Sequence, residues 1–195
     1  HNRLKSIQSN DFKGLSSLES FILTENNIEY IDENAFKDLS ILKTLSLAEN
    51  KLKWLNPNWF RGLTDLNGLN VSTNRIKDID LGTFKYTPNI VLLDMSGNYL
   101  SKISSHMFRD LERLTLLYVS NNRISEIEKG SFVNNFDLEE LKINNNKLDR
   151  IDSDIFLDLL NLNQLDLSYN RIAEIDEYAF KDLTELSRLI LNHNM

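Results

Sequence analysis

Apolar residues recur along the chain at fixed positions of a 24-residue unit, with polar residues between them. Residues 42–65 read LKTLSLAENKLKWLNPNWFRGLTD, in which positions 1, 4, 6, 11, 14, 19 and 22 are apolar. A fixed period of this length predicts a solenoid, because each unit can bury its apolar face only against its neighbours. Complete units begin at Leu18, Leu42, Leu66, Ile90, Leu114, Leu138 and Leu162, and partial units occupy residues 1–17 and 186–195.

The alternation at positions 4 to 6 predicts a short strand in every unit. In Leu45-Ser46-Leu47 the two leucines face one side of the chain and the serine faces the other. Strands stacked about 4.8 Å apart predict a parallel sheet along one side of the solenoid. Phe60 and Leu63 are bulkier and fill the opposite side, so we expect wider spacing there and a curved stack.

Asparagine occupies position 9 of every unit without exception. Its amide can donate hydrogen bonds to backbone carbonyls and accept one from a backbone N–H, so we expect it to tie adjacent coils together. This predicted structural ladder consists of Asn26, Asn50, Asn74, Asn98, Asn122, Asn146 and Asn170.

Position 15 is mostly occupied by residues that cap helix N-termini. Asp32, Asn56 and Asp176 are examples, and Pro57 stands where the first residue of a helix would follow Asn56. We therefore expect these side chains to cap short helical turns on the outer side. A calcium ladder is the alternative, although the glycine and the spacing of an EF-hand loop are missing.

The pattern as a whole resembles the leucine-rich repeat family, in its 24-residue, phenylalanine-containing subtype known from Toll receptors, Slit, chaoptin and small secreted animal proteins. The resemblance covers the entire chain. It implies an α/β solenoid of horseshoe shape, with a parallel β-sheet on the concave face and short helical turns or irregular segments on the convex face. It also implies an extracellular or cell-surface location.

The domain organisation follows from the same resemblance. Members of this subtype usually close the solenoid with cysteine-rich caps, and the sequence has no cysteine. Residues 1–195 are therefore expected to form a single domain, an interior fragment without caps.

Composition and motifs argue against several functional classes. The net charge of -7 arises from 22 basic and 29 acidic residues, so we expect no nucleic acid as partner. No apolar run is long enough to cross a bilayer, which predicts no membrane insertion within this segment. The three histidines fall at different positions of the repeat, and no Gly-x-Ser-x-Gly or phosphate-binding loop occurs. We expect neither catalysis nor a metal or other cofactor.

The variable positions of the strand region are the candidates for ligand binding. Positions 3 and 5 point away from the core and should bring a group of apolar and charged side chains together on neighbouring strands. Such a group is typical of a binding hot spot, and incidental exposure is the alternative. This predicted patch, called the central patch below, consists of Leu92, Asp94, Leu116, Tyr118, Glu140 and Lys142.

Other positions carry weaker signals. Tyr30 and Trp54 share position 13 and could stack as a second patch on the flank that leaves the sheet. Asn70 begins the one N-glycosylation sequon, on the concave face. Thr87 and Asn135 replace the leucine of position 22, which predicts a local bend, a contact surface or simple tolerance.

These observations lead to a functional hypothesis with two alternatives. The first is a protein-recognition module of a secreted or cell-surface protein, whose concave face binds another protein, including a glycoprotein or a homotypic partner. One alternative is an ectodomain segment of a Toll-like innate-immune or developmental signalling receptor. The other is a structural spacer in adhesion or the extracellular matrix.

Overall fold

Each coil of the solenoid contributes one three-residue strand to a single parallel sheet. The computed structural model describes residues 2–195. Its strands in chain order are β1 (Ser6–Ile7), β2 (Ser20–Ile22), β3 (Tyr30–Ile31), β4 (Thr44–Ser46), β5 (Gly68–Asn70), β6 (Leu92–Asp94), β7 (Lys102–Ile103), β8 (Leu116–Tyr118), β9 (Glu126–Ile127), β10 (Glu140–Lys142), β11 (Arg150–Ile151), β12 (Gln164–Asp166), β13 (Glu174–Ile175) and β14 (Arg188–Ile190).

The register of the main sheet reproduces the 24-residue period. Its eight strands follow the order β2-β4-β5-β6-β8-β10-β12-β14. Equivalent positions of successive coils are partners, as Leu93 with Leu117 and Leu117 with Leu141. Three short parallel pairs, β1 with β3, β7 with β9 and β11 with β13, lie where the chain leaves this sheet. Residues 24 apart in sequence are therefore neighbours in space throughout.

The core lies between the sheet and the outer side of the coils. The inward leucines of the strands, such as Leu69 and Leu93, are fully buried. A column of phenylalanines at position 19 fills the outer part, and the rings of five neighbouring pairs, such as Phe132 and Phe156, stand 6.1–6.4 Å apart. Burial of each such ring stabilises the fold by about 1.5–3 kcal/mol.

The position-9 asparagines join each coil to the preceding one. Asn146 donates through Nδ2 to the carbonyls of Ile143 in its own coil and Val119 in the preceding coil, both at 3.0 Å. Its Oδ1 accepts the backbone N–H of Ile124 at 2.9 Å. The side chain thereby satisfies buried backbone groups that have no partner within the short strands. The same bonds recur at Asn50, Asn74, Asn98, Asn122 and Asn170.

The outer side is built almost entirely from hydrogen-bonded turns. Within residues 2–195 the one helix is a 3₁₀ helix at Pro57–Phe60, where the Asn56 side chain accepts the N–H of Asn58 at 2.9 Å. Elsewhere a single turn forms, as where the N–H of Ala179 bonds to the carbonyl of Asp176 at 3.0 Å. The expected helical turns are thus reduced to one short helix. No helix in the described part of the chain is long and apolar enough to span a membrane.

The prediction that the position-15 acids cap helices is wrong for three of them. Asp32, Glu128 and Asp176 accept a backbone N–H from the preceding coil, at 3.0–3.1 Å. The donors are Ser9, Ser105 and Ser153, respectively. With only one turn in each outer segment, the nearest N–H without a partner belongs to the neighbouring coil. These carboxylates therefore join coils together.

The polar residues at position 22 fit into the outer wall without disrupting it. Thr87 and Asn135 are buried, and their backbone N–H groups close the same turns as the leucines at this position in other coils. Thr87 Oγ1 donates to the carbonyl of Phe84. Asn135 Nδ2 donates to the carbonyls of Phe108 and Leu111 at 3.0 and 2.8 Å. Of the bend, the contact surface and the tolerance that these substitutions could indicate, the unchanged turns agree with tolerance of a polar residue at position 22.

Candidate recognition surface

The sheet register gathers the central patch on three adjacent strands. Leu92 on β6 is the partner of Leu116 on β8, and Asp94 is the partner of Tyr118. Glu140 and Lys142 lie beside Leu116 and Tyr118 on β10. All six side chains are partly exposed, since they point away from the core while neighbouring strands shield their sides.

Ionic and aromatic contacts hold the charged half of the central patch in place. Lys142 Nζ lies 2.5 Å from Glu140 Oε1 and 4.5 Å from the centroid of the Tyr118 ring. The Glu140 carboxylate raises the pKa of Lys142, and partial burial raises the pKa of Tyr118. At neutral pH the lysine is charged and the tyrosine is neutral, as a cation–π contact requires. The patch thus presents a fixed aromatic ring beside two leucines.

An apolar hollow, not predicted from the sequence, lies next to the central patch on the same face. Its volume is about 280 Å³, and small residues of β2, β4 and β5 form its floor. Gly68 has no side chain to fill it, while Ile22, 73% exposed, and Leu92 are among its apolar lining residues. The hollow could have been predicted from the small residues at position 3 of three successive repeats, Ser20, Thr44 and Gly68.

Asn70 lies at the end of β5 and lines the hollow. Its Oδ1 accepts the backbone N–H of Ser72 at 2.9 Å, which leaves the amide nitrogen for other partners. A glycan attached at Asn70 would stand over the hollow and occupy this part of the face. Glycosylation of Asn70 remains a prediction.

The two aromatic side chains on the flank do not stack. Tyr30 and Trp54, both described, are about half exposed, and no ring contact joins them. The Tyr30 hydroxyl donates instead to Asp32 at 2.5 Å, and this bond raises the pKa of Tyr30. The ring is therefore directed along its own coil, and Trp54 is left as a separate exposed residue.

The arrangement of titratable groups offers no metal site within the described residues. No three side chains of His, Asp or Glu come close enough to hold an ion. His106 has a structural contact, since its Nε2 lies 3.1 Å from the carbonyl of Ile79. The sheet face instead presents an apolar hollow, exposed apolar side chains and charged side chains held in place by ion pairing.

Comparison with known proteins agrees with this geometry. A family described as Leucine rich repeat matches residues 1–40, 18–76, 64–124, 112–154 and 136–195. No curated protein matches the chain. Among solved structures, the crystal structure of the TLR13–ssRNA13 complex is similar over 96% of this chain, with a TM-score of 0.90 and 26% sequence identity. This chain spans 27% of that structure's chain.

Proposed function

Because this chain belongs to the leucine-rich repeat family, we propose that it is a protein-recognition module whose ligand binds on the sheet face. The central patch carries the proposal. Leu92, Leu116 and Tyr118 expose apolar surface on neighbouring strands. Their side chains point away from the core, so this surface can be buried only by a partner. Aromatic and apolar anchors held in a fixed arrangement are the features on which binding energy concentrates.

The spacing of the coils supports a concave shape for this face. Strands in a sheet repeat about every 4.7–4.9 Å, whereas five neighbouring pairs of phenylalanine rings in the outer wall are 6.1–6.4 Å apart. A stack spaced more widely on its outer side bends toward its sheet. The convex surface of a folded protein would then contact several strands at once.

The charges around the central patch would orient such a partner. Asp94 uses one carboxylate oxygen to accept the N–H of Ser96 at 2.9 Å, and Glu140 is held by Lys142 and Gln164. These side chains are ordered before binding, so less side-chain entropy is lost on association. Their opposite signs favour a partner of matching polarity over other proteins.

Capture by the immobilised chain tests the proposal. We expect the wild type to retain specific proteins from extracellular fluid and Leu116→Glu to lose them, because a carboxylate placed in an apolar contact is left without a partner. Leu160→Glu is the matched control, because Leu160 is 50% exposed and lies outside the main sheet. Circular dichroism would show that both variants fold. Equal capture by wild type and Leu116→Glu would exclude the central patch.

The similarity to the TLR13 structure favours one particular setting for this module. A TM-score of 0.90 over 96% of the chain supports an ectodomain segment of a Toll-like receptor, located outside the cell or at its surface. The sequence of the full transcript tests this setting. A membrane span and a cytoplasmic signalling domain after the repeats would support a receptor, and a secreted product without either would contradict it.

A further inference from the structure

A row of five cations and one tyrosine runs along the flank of the solenoid, one residue after the asparagine ladder. It occupies position 10 of six consecutive repeats. The backbone N–H of each member donates to a carbonyl of the preceding coil at 2.8–2.9 Å, so the row is anchored at every step. Neighbouring members should be about as far apart as adjacent strands, roughly 4.8 Å. This flank row consists of Lys51, Arg75, Tyr99, Arg123, Lys147 and Arg171.

Most charges of the flank row are available to a ligand. Arg75, Arg123, Lys147 and Arg171 are exposed, and within residues 2–195 none of them has a carboxylate oxygen within 4.0 Å. Lys51 alone approaches one, that of Glu29 at 4.0 Å. Lys181, in another part of the chain, is by contrast paired with Asp154 at 2.8 Å.

The positions next to the row are mostly uncharged or basic, and the exceptions are Glu49 at position 8 and Asp149 at position 12. On the side toward the sheet, position 8 holds the uncharged Thr73, Gly97, Asn121 and Asn145 beside the middle of the row. On the other side, Lys53 and Lys77 at position 12 extend it and are exposed. Unpaired charges of one sign, held at a regular spacing, produce a local potential that the net charge of the molecule does not reveal.

We propose that the flank row binds a linear sulfated polysaccharide, separately from the protein ligand of the sheet face. Sulfate groups along the glycan would contact successive arginine and lysine side chains. Guanidinium groups suit this ligand because their planar donors can bond two oxygens of one anionic group. A chain-like polyanion fits a row better than a compact anion does, since it contacts several coils at once and gains from each of them.

The single aromatic residue of the row favours a glycan over single-stranded nucleic acid. Binding of single strands depends on exposed aromatic rings on which successive bases stack. Tyr99 is the only aromatic member, and Arg123 covers its ring, with Cζ 4.4 Å from the centroid. The row also lacks the apolar anchors on which protein interfaces depend. A polyanion without bases is the ligand class that remains.

Binding of a size-defined heparin oligosaccharide to the full chain tests this proposal. We expect Arg123→Gln combined with Lys147→Gln to weaken binding roughly three- to tenfold and to lower the salt-dependence slope by about two. The matched control is Lys37→Gln combined with Arg109→Gln, which changes the net charge equally at exposed positions on the outer side. We expect binding by this control to equal that of the wild type, and equal thermal unfolding for all three proteins.

Four outcomes would overturn the proposal. Absence of saturable heparin binding is the first, and an equal loss in the control variant is the second, because binding would then follow overall charge. Tight binding of a desulfated oligosaccharide is the third. The fourth is equally tight binding of oligo(dT) through the same two residues, which would assign the row to nucleic acid. Retained heparin binding by Leu116→Glu would show that the two surfaces act independently.

Discussion

A single asparagine side chain in each coil replaces the backbone hydrogen bonds that three-residue strands cannot provide. Asn146 bonds to the carbonyls of Val119 and Ile143 and to the N–H of Ile124, all buried. A group of this kind left without a partner costs about 1–3 kcal/mol. Stability of the solenoid therefore depends strongly on a few amides.

Replacing Asn146 by leucine tests this dependence. Asn146→Leu keeps the number of side-chain heavy atoms and removes every amide bond, so we expect a loss of at least about 2 kcal/mol in the free energy of unfolding. Urea denaturation measures it. In Asn67→Leu, an exposed position, the change should stay within about 0.5 kcal/mol. Equal effects of the two substitutions would mean that the ladder contributes nothing specific.

Glu128 shows how one carboxylate joins two coils. The N–H of Ser105 and the ammonium group of Lys102, 2.9 Å away, lower the pKa of Glu128 from 4.5 to about 2. Because the folded pKa lies below the unfolded one, its stabilising contribution is complete above about pH 4.5. The contribution is lost as the pH falls toward 2.

A carbon-13 NMR titration of the glutamate carboxyl groups measures this pKa directly. We expect the Glu128 signal to titrate near pH 2 and to move upward in Lys102→Met, which removes the ammonium group and keeps the aliphatic side chain. Glu112, exposed and in no ion pair within residues 2–195, provides the internal comparison. A Glu128 midpoint near 4.5 in the wild type would contradict the inter-coil bond.

At the scale of the element, the outer wall is held by its phenylalanine column rather than by helices. Phe132 stacks between Phe108 and Phe156, with centroids 6.2 and 6.4 Å away. Each coil contacts only its neighbours, so a cavity in a central coil weakens the connection between the two halves of the stack.

Two phenylalanines of the same coil allow a matched test of this column. Phe132→Ala should lower the free energy of unfolding by about 3–5 kcal/mol, because the ring is fully buried. Phe136→Ala removes an equal side chain that is 50% exposed, and we expect a loss of under about 1 kcal/mol. Denaturation curves of the two variants give the comparison. A similar loss in both would show that the column does not support the wall.

Some elements could be predicted from residue type and others could not. The alternation at positions 4 to 6 and the 24-residue period predicted one strand in each coil, and the strands lie one residue earlier, at positions 3 to 5. The outer turns were not predictable as such, since Asp32 and Asp176 are good helix caps that the fold uses between coils. Position 8 adopts a left-handed backbone even at Thr73 and Tyr169, with φ of 53° and 54°. Nothing in these residue types indicates it, because the tight turn after the strand imposes the conformation.

At the scale of the whole molecule, the repeat converts columns of the sequence into surfaces. The central patch was predictable because Leu92, Leu116 and Tyr118 carry visible apolar side chains at outward positions. The hollow was missed because small residues such as Gly68 create it by leaving space. The flank row was missed because the net charge of -7 conceals a cluster of cations. Sequence positions 24 apart are the natural unit of comparison for such surfaces.

Hydroxyl-radical footprinting of the chain with a captured protein tests the central claim, that the sheet face is the recognition surface. Tyr118 reports on the sheet face, while Tyr178, 59% exposed and outside every strand of the main sheet, reports on another side of the same molecule. We predict that partner binding slows oxidation of Tyr118 and leaves that of Tyr178 unchanged. Protection of Tyr178 with unchanged oxidation of Tyr118 would contradict the assignment.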